Sequence, residues 1–408
     1  MSRVARITIV TLSVIVFVYA GLGYVLGETN QDDNAYRSLT VYEEVLQHIQ
    51  EDYVDQPNLN LVTSGALRGL LESLDPLSAY LSPREYADYL QRQKNARRAE
   101  VGITVSKRFG YIIIVATVPG GPGDTAGLRS GQILESIAGF GTRNMSAAQA
   151  DMLLQGAPGT SVKVEVVRRG ITAPKKVTLT RAIIAPQPIV ASQATPDVAY
   201  IRLPTLEADD VAELHDKLVQ FSNQGIRKLI LDLRDCARGP VSNGIQAAEF
   251  FLPSGTITTL QGQTVPRQVF TAKPDQVVWR APVKVLTSPS TSGAAEILAG
   301  AIGGDKRGDV IGERTFGTAS EQKLIPLNDG GALLLTVAFY STPDGKSIVK
   351  DGVVPTVEVE PTLPNASTLL NDEDNPPPLR PGQLPKADDP VYNKALELFQ
   401  GGEARKAA

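Results

Sequence analysis

Three hydroxyl side chains lead into an apolar segment in the stretch Ser290-Thr291-Ser292-Gly293-Ala294-Ala295-Glu296-Ile297-Leu298-Ala299-Gly300, which predicts a loop followed by a helix. A second stretch follows it along the chain, Gly312-Glu313-Arg314-Thr315-Phe316-Gly317-Thr318-Ala319-Ser320-Glu321-Gln322. Two of these positions decide the chemistry. Gly293 offers no nucleophile, and the hydroxyl of Thr318 is not a base at neutral pH. The two stretches therefore hold small or weakly reactive residues at the positions on which the function of the chain depends.

The segment from 184 to 360, which contains both stretches, alternates apolar strands with amphipathic helices. Residues 198–203 and 228–234 predict strands, and residues 210–221 predict a helix with its apolar side chains on one face. Strands that alternate with helices favour parallel pairing. We therefore expect an α/β core (in the broader sense, α+β) in this segment.

Between 99 and 183 the sequence changes to short β-runs separated by glycines. Residues 102–105 and 111–115 predict two strands joined by a turn at Arg108-Phe109-Gly110. Ser146 and Gln149 predict a capping box at the start of a helix. The order of these elements predicts one small domain, inserted before the α/β core.

This inserted segment resembles a PDZ domain in the stretch Pro122-Gly123-Asp124-Thr125-Ala126-Gly127-Leu128-Arg129-Ser130-Gly131-Gln132-Ile133-Leu134, with Gln132 at the usual aspartate position. A PDZ domain adds an extended peptide as a strand at an exposed sheet edge. The resemblance implies that backbone N–H groups of Val101, Gly102, Ile103 and Thr104 hold the terminal carboxylate of a protein or peptide. The alternative is an empty groove that packs against the neighbouring domain.

The region from 36 to 98 is predicted to be helical. Tyr42, Val45, Leu46, Ile49 and Tyr53 recur at helical spacing and form one apolar stripe. A second helix is predicted over 65–75, and Pro76 ends it. We therefore expect an N-terminal helical region that precedes the inserted domain.

The first 27 residues predict a membrane anchor. Arg3 and Arg6 precede an uncharged run from 7 to 26, and a helix of that length spans about 30 Å, the thickness of a bilayer core. The arginines favour a cytoplasmic N-terminus, which places the body of the protein in the periplasm or another extracytoplasmic space. Cleavage after Val18-Tyr19-Ala20, which would release a secreted form, is the alternative.

The composition excludes several other functions. A net charge of −4 without a basic cluster gives no reason to expect a nucleic-acid partner. The single cysteine, Cys236, and the two distant histidines, His48 and His215, predict neither a metal site nor a cofactor. The tail from 361 to 408 is proline-rich and acidic, with one short helix predicted over 391–399 that docks on the core or remains free.

The two stretches quoted first resemble the active-site segments of the carboxyl-terminal processing (tail-specific) serine proteases. In that family a serine lies three residues before a Glu-Ile pair, a lysine follows a Gly-Glu-x-Thr-Phe-Gly run, and a glutamine orients the lysine. These positions are Gly293, Thr318 and Gln322 here. The resemblance therefore implies that only the glutamine of the catalytic set is present.

Other segments extend the resemblance over roughly 36 to 360. Residues 73–81 resemble the family's Leu-Asp-Pro-x-Ser-x-Tyr signature, for which a structural role is expected. Asp232-Leu233-Arg234 matches the start of the family's oxyanion loop, but the Gly-Gly pair of that loop is Arg238-Gly239 here. The resemblance implies a change in the oxyanion hole as well.

These observations predict an extracytoplasmic, catalytically inactive member of this family that binds protein C-termini as an adaptor or regulator. An active serine-type endopeptidase that uses Ser292 as a displaced nucleophile is the alternative, with Lys306 or Lys323 as the only nearby candidates for a base. A third interpretation is a homo- or hetero-oligomeric subunit that assembles with an active relative.

Overall fold

The computed structural model describes residues 17, 37–94, 99–168, 173–359, 385 and 387–404. The chain divides into two compact units, Met1–Ala66 and Leu67–Ala408. Helix α1 covers 37–52, and the other helices are α2 (Leu59–Glu72), α3 (Pro83–Lys94), α4 (Pro122–Thr125), α5 (Ala147–Leu154), α6 (Ala208–Asn223), α7 (Val241–Glu249), α8 (Ala294–Gly304), α9 (Ile348–Asp351) and α10 (Pro390–Ala404).

The strands are numbered in chain order. They are β1 (Ala79–Leu81), β2 (Ala99–Glu100), β3 (Ile103–Arg108), β4 (Tyr111–Thr117), β5 (Ile133–Ile137), β6 (Phe140–Gly141), β7 (Ser161–Val167), β8 (Lys175–Thr180), β9 (Ala182–Ile183), β10 (Val190–Thr195), β11 (Val198–Arg202), β12 (Lys228–Asp232), β13 (Thr256–Gln261), β14 (Gln268–Thr271), β15 (Val283–Thr287), β16 (Gly308–Gly312), β17 (Ser320–Pro326), β18 (Ala332–Ser341) and β19 (Val357–Glu358).

The first unit contains α1 and the start of α2. The apolar stripe predicted for α1 lies on a helix, but Tyr42 and Val45 are exposed within it. Helix α2 begins earlier than predicted and ends at Glu72, before Pro76. The predicted membrane span, residues 7–26, lies outside the described residues except for Phe17, and no helix of the described part is long and apolar enough to cross a bilayer.

The core of the second unit is a six-stranded sheet in the order β10-β11-β12-β15-β16-β19. All neighbours from β11 to β19 are parallel, as the alternation of strands and helices predicted, and β10 adds one antiparallel edge. Side chains along a strand alternate between the two faces. Ala199 and Ile201 pack with α6, α7 and α8 on one face, whereas Val198 and Tyr200 pack with α10 on the other.

A second sheet carries the long strand β18, which pairs with β1, β13 and β17, while β14 pairs with β13. The N-terminal signature at 73–81 joins this sheet through β1. The Asp75 carboxylate accepts hydrogen bonds from the backbone N–H of Ser78, at 2.7 Å, and from the hydroxyl of Thr336 on β18, at 3.2 Å. Tyr80 donates to Asp329 at 2.7 Å. The signature is therefore structural, as expected.

The inserted domain is a separate antiparallel sheet in the order β3-β4-β5-β7-β8, with β6 on β5 and its own apolar core. Its entry and exit segments are joined by pairing of β2 with β9. Strand β3 is an edge strand of this sheet, and its turn to β4 carries Phe109 and Gly110 at positive φ. The capping box predicted at Ser146 and Gln149 opens α5. The domain therefore has the open edge that strand addition requires.

The C-terminal helix α10 docks on the core sheet, which resolves the alternative that the sequence left open. Val391, Ala395 and Phe399 are buried against the face opposite α6 to α8. The Asp389 carboxylate accepts hydrogen bonds from the N–H groups of Val391 and Tyr392, both at 3.0 Å, and pairs with the guanidinium of Arg234 at 2.7 Å. The Asp-Leu-Arg element therefore anchors the tail helix to the end of β12.

We predict that Asp389→Ala loosens α10, because it removes both the helix cap and the partner of Arg234. Loss of a capping side chain costs about 1–2 kcal/mol. Amide hydrogen exchange of residues 391–399 measures the effect, and faster exchange is expected there while the core strands keep their protection. Asp388→Ala, at the exposed neighbouring position, is the matched control and should change nothing.

Candidate active site and peptide groove

The loops that follow β12, β15 and β16 meet at one edge of the core sheet, because the carboxyl ends of parallel strands lie together. The hydroxyl of Thr291 donates to the carbonyl of Leu233 at 2.9 Å, and the N–H of Ser292 donates to the carbonyl of Cys236 at 3.0 Å. The N–H of Phe316 donates to the carbonyl of Thr291 at 2.9 Å. The fold therefore brings together the two stretches and the loop after Asp-Leu-Arg.

Gly293 and Thr318 face each other across this edge. A Cβ atom built on Gly293 would lie 3.9 Å from Oγ1 of Thr318 and meet no other non-neighbouring atom within 4 Å. Gly293 has φ 61° and ψ −116° at the turn into α8. Residues other than glycine adopt this backbone conformation only at a cost in conformational energy. The structure thus places the two predicted positions as a facing pair, with space between them but no nucleophile on Gly293.

The hydroxyl of Ser292 lies 2.7 Å from the hydroxyl of Thr318. Ser292 is buried, with 6% of its surface exposed. Its side-chain partner is therefore another hydroxyl group, which cannot take its proton at neutral pH. Lys306, just after α8, and Lys323, on β17, are both exposed.

Glu296 is the residue that holds the two loops in place. Its carboxylate is fully buried and accepts hydrogen bonds from the N–H groups of Gly293 at 2.9 Å, Gly317 at 2.6 Å and Thr318 at 2.8 Å. The hydroxyl of Thr315 donates to it at 2.5 Å. Burial raises the pKa of Glu296, and the hydrogen bonds act in the opposite direction. The sequence analysis gave Glu296 no role, although a glutamate three residues after the N-cap position, here Gly293, is typical of a capping box.

Gln322, the matched position of the catalytic set, lies on an exposed part of β17 after a register shift between Glu321 and Gln322. Its amide nitrogen donates to the carbonyl of Leu77 at 2.8 Å. The side chain thus contacts the N-terminal signature, and the hydrogen bond ties β17 to that segment. This is a structural contact that the sequence did not predict.

Arg238 and Gly239 behave differently in the loop after Asp-Leu-Arg. Gly239 has φ 116°, and a Cβ there would lie 2.2 Å from the carbonyl oxygen of Leu206, so only glycine fits. The side chain of Arg238 leaves the loop and pairs with Glu100, at 2.6 Å from Nη1 and 3.1 Å from Nη2. Its Nε donates to Oγ1 of Thr104 at 3.2 Å. Arg238 therefore reaches the inserted domain, a contact that the sequence did not predict.

The predicted carboxylate-binding segment precedes and begins β3. The carbonyls of Val101 and Gly102 accept hydrogen bonds from Gly123 and Val118, both at 2.8 Å, which fixes the backbone of the segment. Gly102 has φ 69°, and a Cβ there would lie 3.4–3.5 Å from Ile184, Gly121 and Val118. Glycine is thus required at position 102 by the positive φ angle, and not because a side chain there would crowd a ligand. Val101, Gly102 and Ile103 are buried, and Thr104 is half-buried.

The side chains of the single cysteine and of His215 act in packing rather than in the chemistry of the site. Cys236 is buried, and burial raises the pKa of its thiol, which favours the unreactive protonated form. His215 lies on α6, with its ring 5.5 Å from the ring of Phe250. Both therefore act as packing residues.

The fold and the site together define a protease-type α/β core that carries a PDZ domain. The model of peptidase family S41 matches residues 197–359, and a PDZ domain model matches 113–168. The carboxyl-terminal-processing protease of Synechocystis sp. is 32% identical over 364 residues, which cover 87% of this chain and 81% of that protein. The corresponding protease of Bartonella bacilliformis is 29% identical over 82% of this chain and 78% of its own length.

Among solved structures, the photosystem II D1 C-terminal processing protease is similar, with a TM-score of 0.67 and 26% identity over 79% of this chain and 93% of that one. The chain belongs to the carboxyl-terminal-processing, or tail-specific, protease family. The expected family and its mixed α/β fold with a PDZ domain are therefore confirmed.

We predict that Glu296→Gln destabilises the second unit by about 2–4 kcal/mol, because an amide offers one acceptor oxygen and turns a donor toward N–H groups. The amides of Gly317 and Thr318 should exchange faster with deuterium, and urea unfolding should shift to lower concentration. Glu135→Gln, at an exposed position of the inserted domain, is the control. Unchanged exchange at 317 and 318 would show that Glu296 does not hold the loop.

Proposed function

We propose that this protein is a non-cleaving member of the tail-specific protease family that captures protein C-termini through its PDZ domain as an adaptor or regulator. The proposal rests above all on one observation. The facing positions Gly293 and Thr318 supply neither a nucleophile nor a base, while the frame around them is intact.

The chemistry of peptide cleavage supports an inactive site. A serine needs a base within hydrogen-bonding reach, and a lysine serves as that base only when burial keeps it neutral. The hydroxyl nearest to Gly293 from the facing loop belongs to Thr318, and its own N–H is bound to Glu296. Arg238 also stands where the family pattern has a glycine of the oxyanion loop. The nucleophile position, the base position and the oxyanion loop of the family pattern are therefore all altered.

Capture of a peptide needs less than cleavage does. Strand addition requires an unpaired sheet edge and a fixed backbone at its start. Strand β3 is an edge strand of its sheet, and the segment before it is held by two backbone hydrogen bonds. These features support binding of an extended chain that ends next to Gly102.

A serine endopeptidase that uses Ser292 is the second candidate, and one contact favours it. Ser292 is hydrogen-bonded to Thr318, whose hydroxyl lies 3.4 Å from the buried carboxylate of Glu296. That carboxylate already accepts four shorter hydrogen bonds, so its two oxygens are engaged by other donors. Incubation of purified protein with unfolded substrates of varied C-termini tests this candidate, since cleavage abolished by Ser292→Ala would establish it.

We place the protein outside the cytoplasm, held by its N-terminal apolar run, on the strength of residues 3–26 alone. Assembly with an active relative is compatible with an adaptor role. Co-purification from the native membrane distinguishes a stable subunit from a protein that binds peptides transiently.

We predict that Gly293→Ser alone yields no proteolysis, because the base is still missing, and that it destabilises the protein by about 1–3 kcal/mol through the strained backbone at this position. Gly293→Ser with Thr318→Lys is expected to recover only weak cleavage, since Arg238 remains in the oxyanion loop and Gln322 contacts Leu77. Release of a fluorogenic peptide and thermal unfolding measure the two effects. Cleavage by the single variant would show that a base exists elsewhere.

We predict that peptides with a free C-terminal carboxylate bind and that their C-terminal amides bind about ten- to a hundredfold more weakly. Amidation removes the charge and adds N–H donors where the segment from Val101 to Thr104 offers donors of its own, and a charge-assisted hydrogen bond contributes about 1.5–3 kcal/mol. Calorimetric titration of matched acid and amide peptides measures the difference. Equal affinities would mean that the groove does not recognise C-termini.

A further inference from the structure

Arg238 forms a bidentate ion pair across the boundary between the core and the PDZ domain. Its two terminal nitrogens meet the two carboxylate oxygens of Glu100, one each, and its Nε reaches Thr104. The pair is partly buried, with 25% of the Arg238 side chain and 21% of the Glu100 side chain exposed. This is the geometry in which arginine binds any carboxylate.

The position of this pair is as informative as its geometry. Glu100 and Thr104 are the residues that flank the segment Val101-Gly102-Ile103, where the terminal carboxylate of a bound peptide is expected. The guanidinium therefore lies along the carboxylate segment, although it is supplied by the core.

Other contacts hold the core and the PDZ domain together at this face. The hydroxyl of Ser290 donates to the hydroxyl of Ser130 at 2.7 Å, and the guanidinium of Arg108 lies 5.1 Å from the ring centre of Phe316. A narrow cleft next to Arg238 is lined by Thr104 and Val118 from one side and by Arg202 from the other, with a volume of about 10 Å³. That volume holds about one water molecule.

We propose that Arg238 is a carboxylate-binding residue of the PDZ groove, and that Glu100 occupies it until the C-terminal carboxylate of a peptide takes its place. The inference rests on the proposed binding of C-termini. Both anions fit the same fork of donors, and because Glu100 already occupies both terminal nitrogens of Arg238 the event is an exchange. The Glu100 side chain is partly exposed and has a route to water when it is displaced.

Competition of this kind lowers affinity and sharpens selectivity. A peptide carboxylate binds Arg238 only in those molecules in which the internal anion, Glu100, has left it. The apparent affinity for the peptide is therefore reduced in proportion to the fraction of molecules in which Arg238 is not paired with Glu100. A ligand without a carboxylate cannot displace it. The ratio of the affinity for the acid peptide to that for its amide should therefore be larger than in a groove without Arg238.

The test is a set of calorimetric titrations with the acid and amide peptides on variants of the full protein. Arg238→Ala should weaken binding of the acid peptide about tenfold and leave the amide nearly unchanged. Glu100→Gln should tighten binding of the acid peptide severalfold, and it should have no effect when combined with Arg238→Ala. Arg238→Lys should fall between the wild type and Arg238→Ala, since it keeps the charge but loses the fork. Arg227→Ala removes an exposed arginine of the core and is the matched control.

The outcomes separate this inference from the proposed function. If the wild type prefers the acid peptide and Arg238→Ala binds it equally well or better, Arg238 only latches the domains together and the inference is wrong. An unchanged affinity in Glu100→Gln would likewise exclude Glu100 as the competing anion. If the wild type itself shows no preference for the acid, the proposed capture of C-termini fails. Circular dichroism of each variant excludes loss of fold as the cause.

Discussion

The candidate active site depends on one buried carboxylate. Glu296 has no exposed surface and must be satisfied within the protein, because an unpaired charge in the interior is costly. Its donors come from both loops: the turn at Gly293 and the segment from Thr315 to Thr318. None of these bonds requires a serine at 293 or a lysine at 318. The frame of the site therefore does not depend on which side chains occupy positions 293 and 318.

The conformation of Gly293 adds to this argument. A serine with φ near 61° and ψ near −116° would hold strain, which active sites tolerate because the reaction needs the side chain there. Glycine adopts the same backbone at little cost. Glycine at this position therefore avoids that strain and keeps the turn into α8. The substitution is thus compatible with a well-folded core.

Much of this architecture could be predicted from the sequence, because it follows from local patterns of apolar, polar and capping residues. The alternation of helices with strands, which were predicted over 198–203 and 228–234, predicted parallel pairing, and the spacing of Ser146 and Gln149 predicted a helix start that the structure has. Three of the contacts that were missed join segments far apart in the chain: Gln322 with Leu77, Arg234 with Asp389, and Arg238 with Glu100. Long polar side chains reach partners that only the packing of domains brings near. No period or motif in one sequence encodes such pairs.

The neighbouring positions 238 and 239 show which part of a family motif serves chemistry and which part serves the fold. Gly239 combines a positive φ with a backbone carbonyl in the place where a Cβ would be, so any other residue would displace Leu206. That constraint is independent of catalysis, and the glycine is still present. Position 238 has a side chain that extends into the boundary with the PDZ domain and meets Glu100. The fold therefore demands only the second glycine of the pair. The first position accommodates an arginine, whose guanidinium pairs with Glu100 and donates to Thr104 of the PDZ domain.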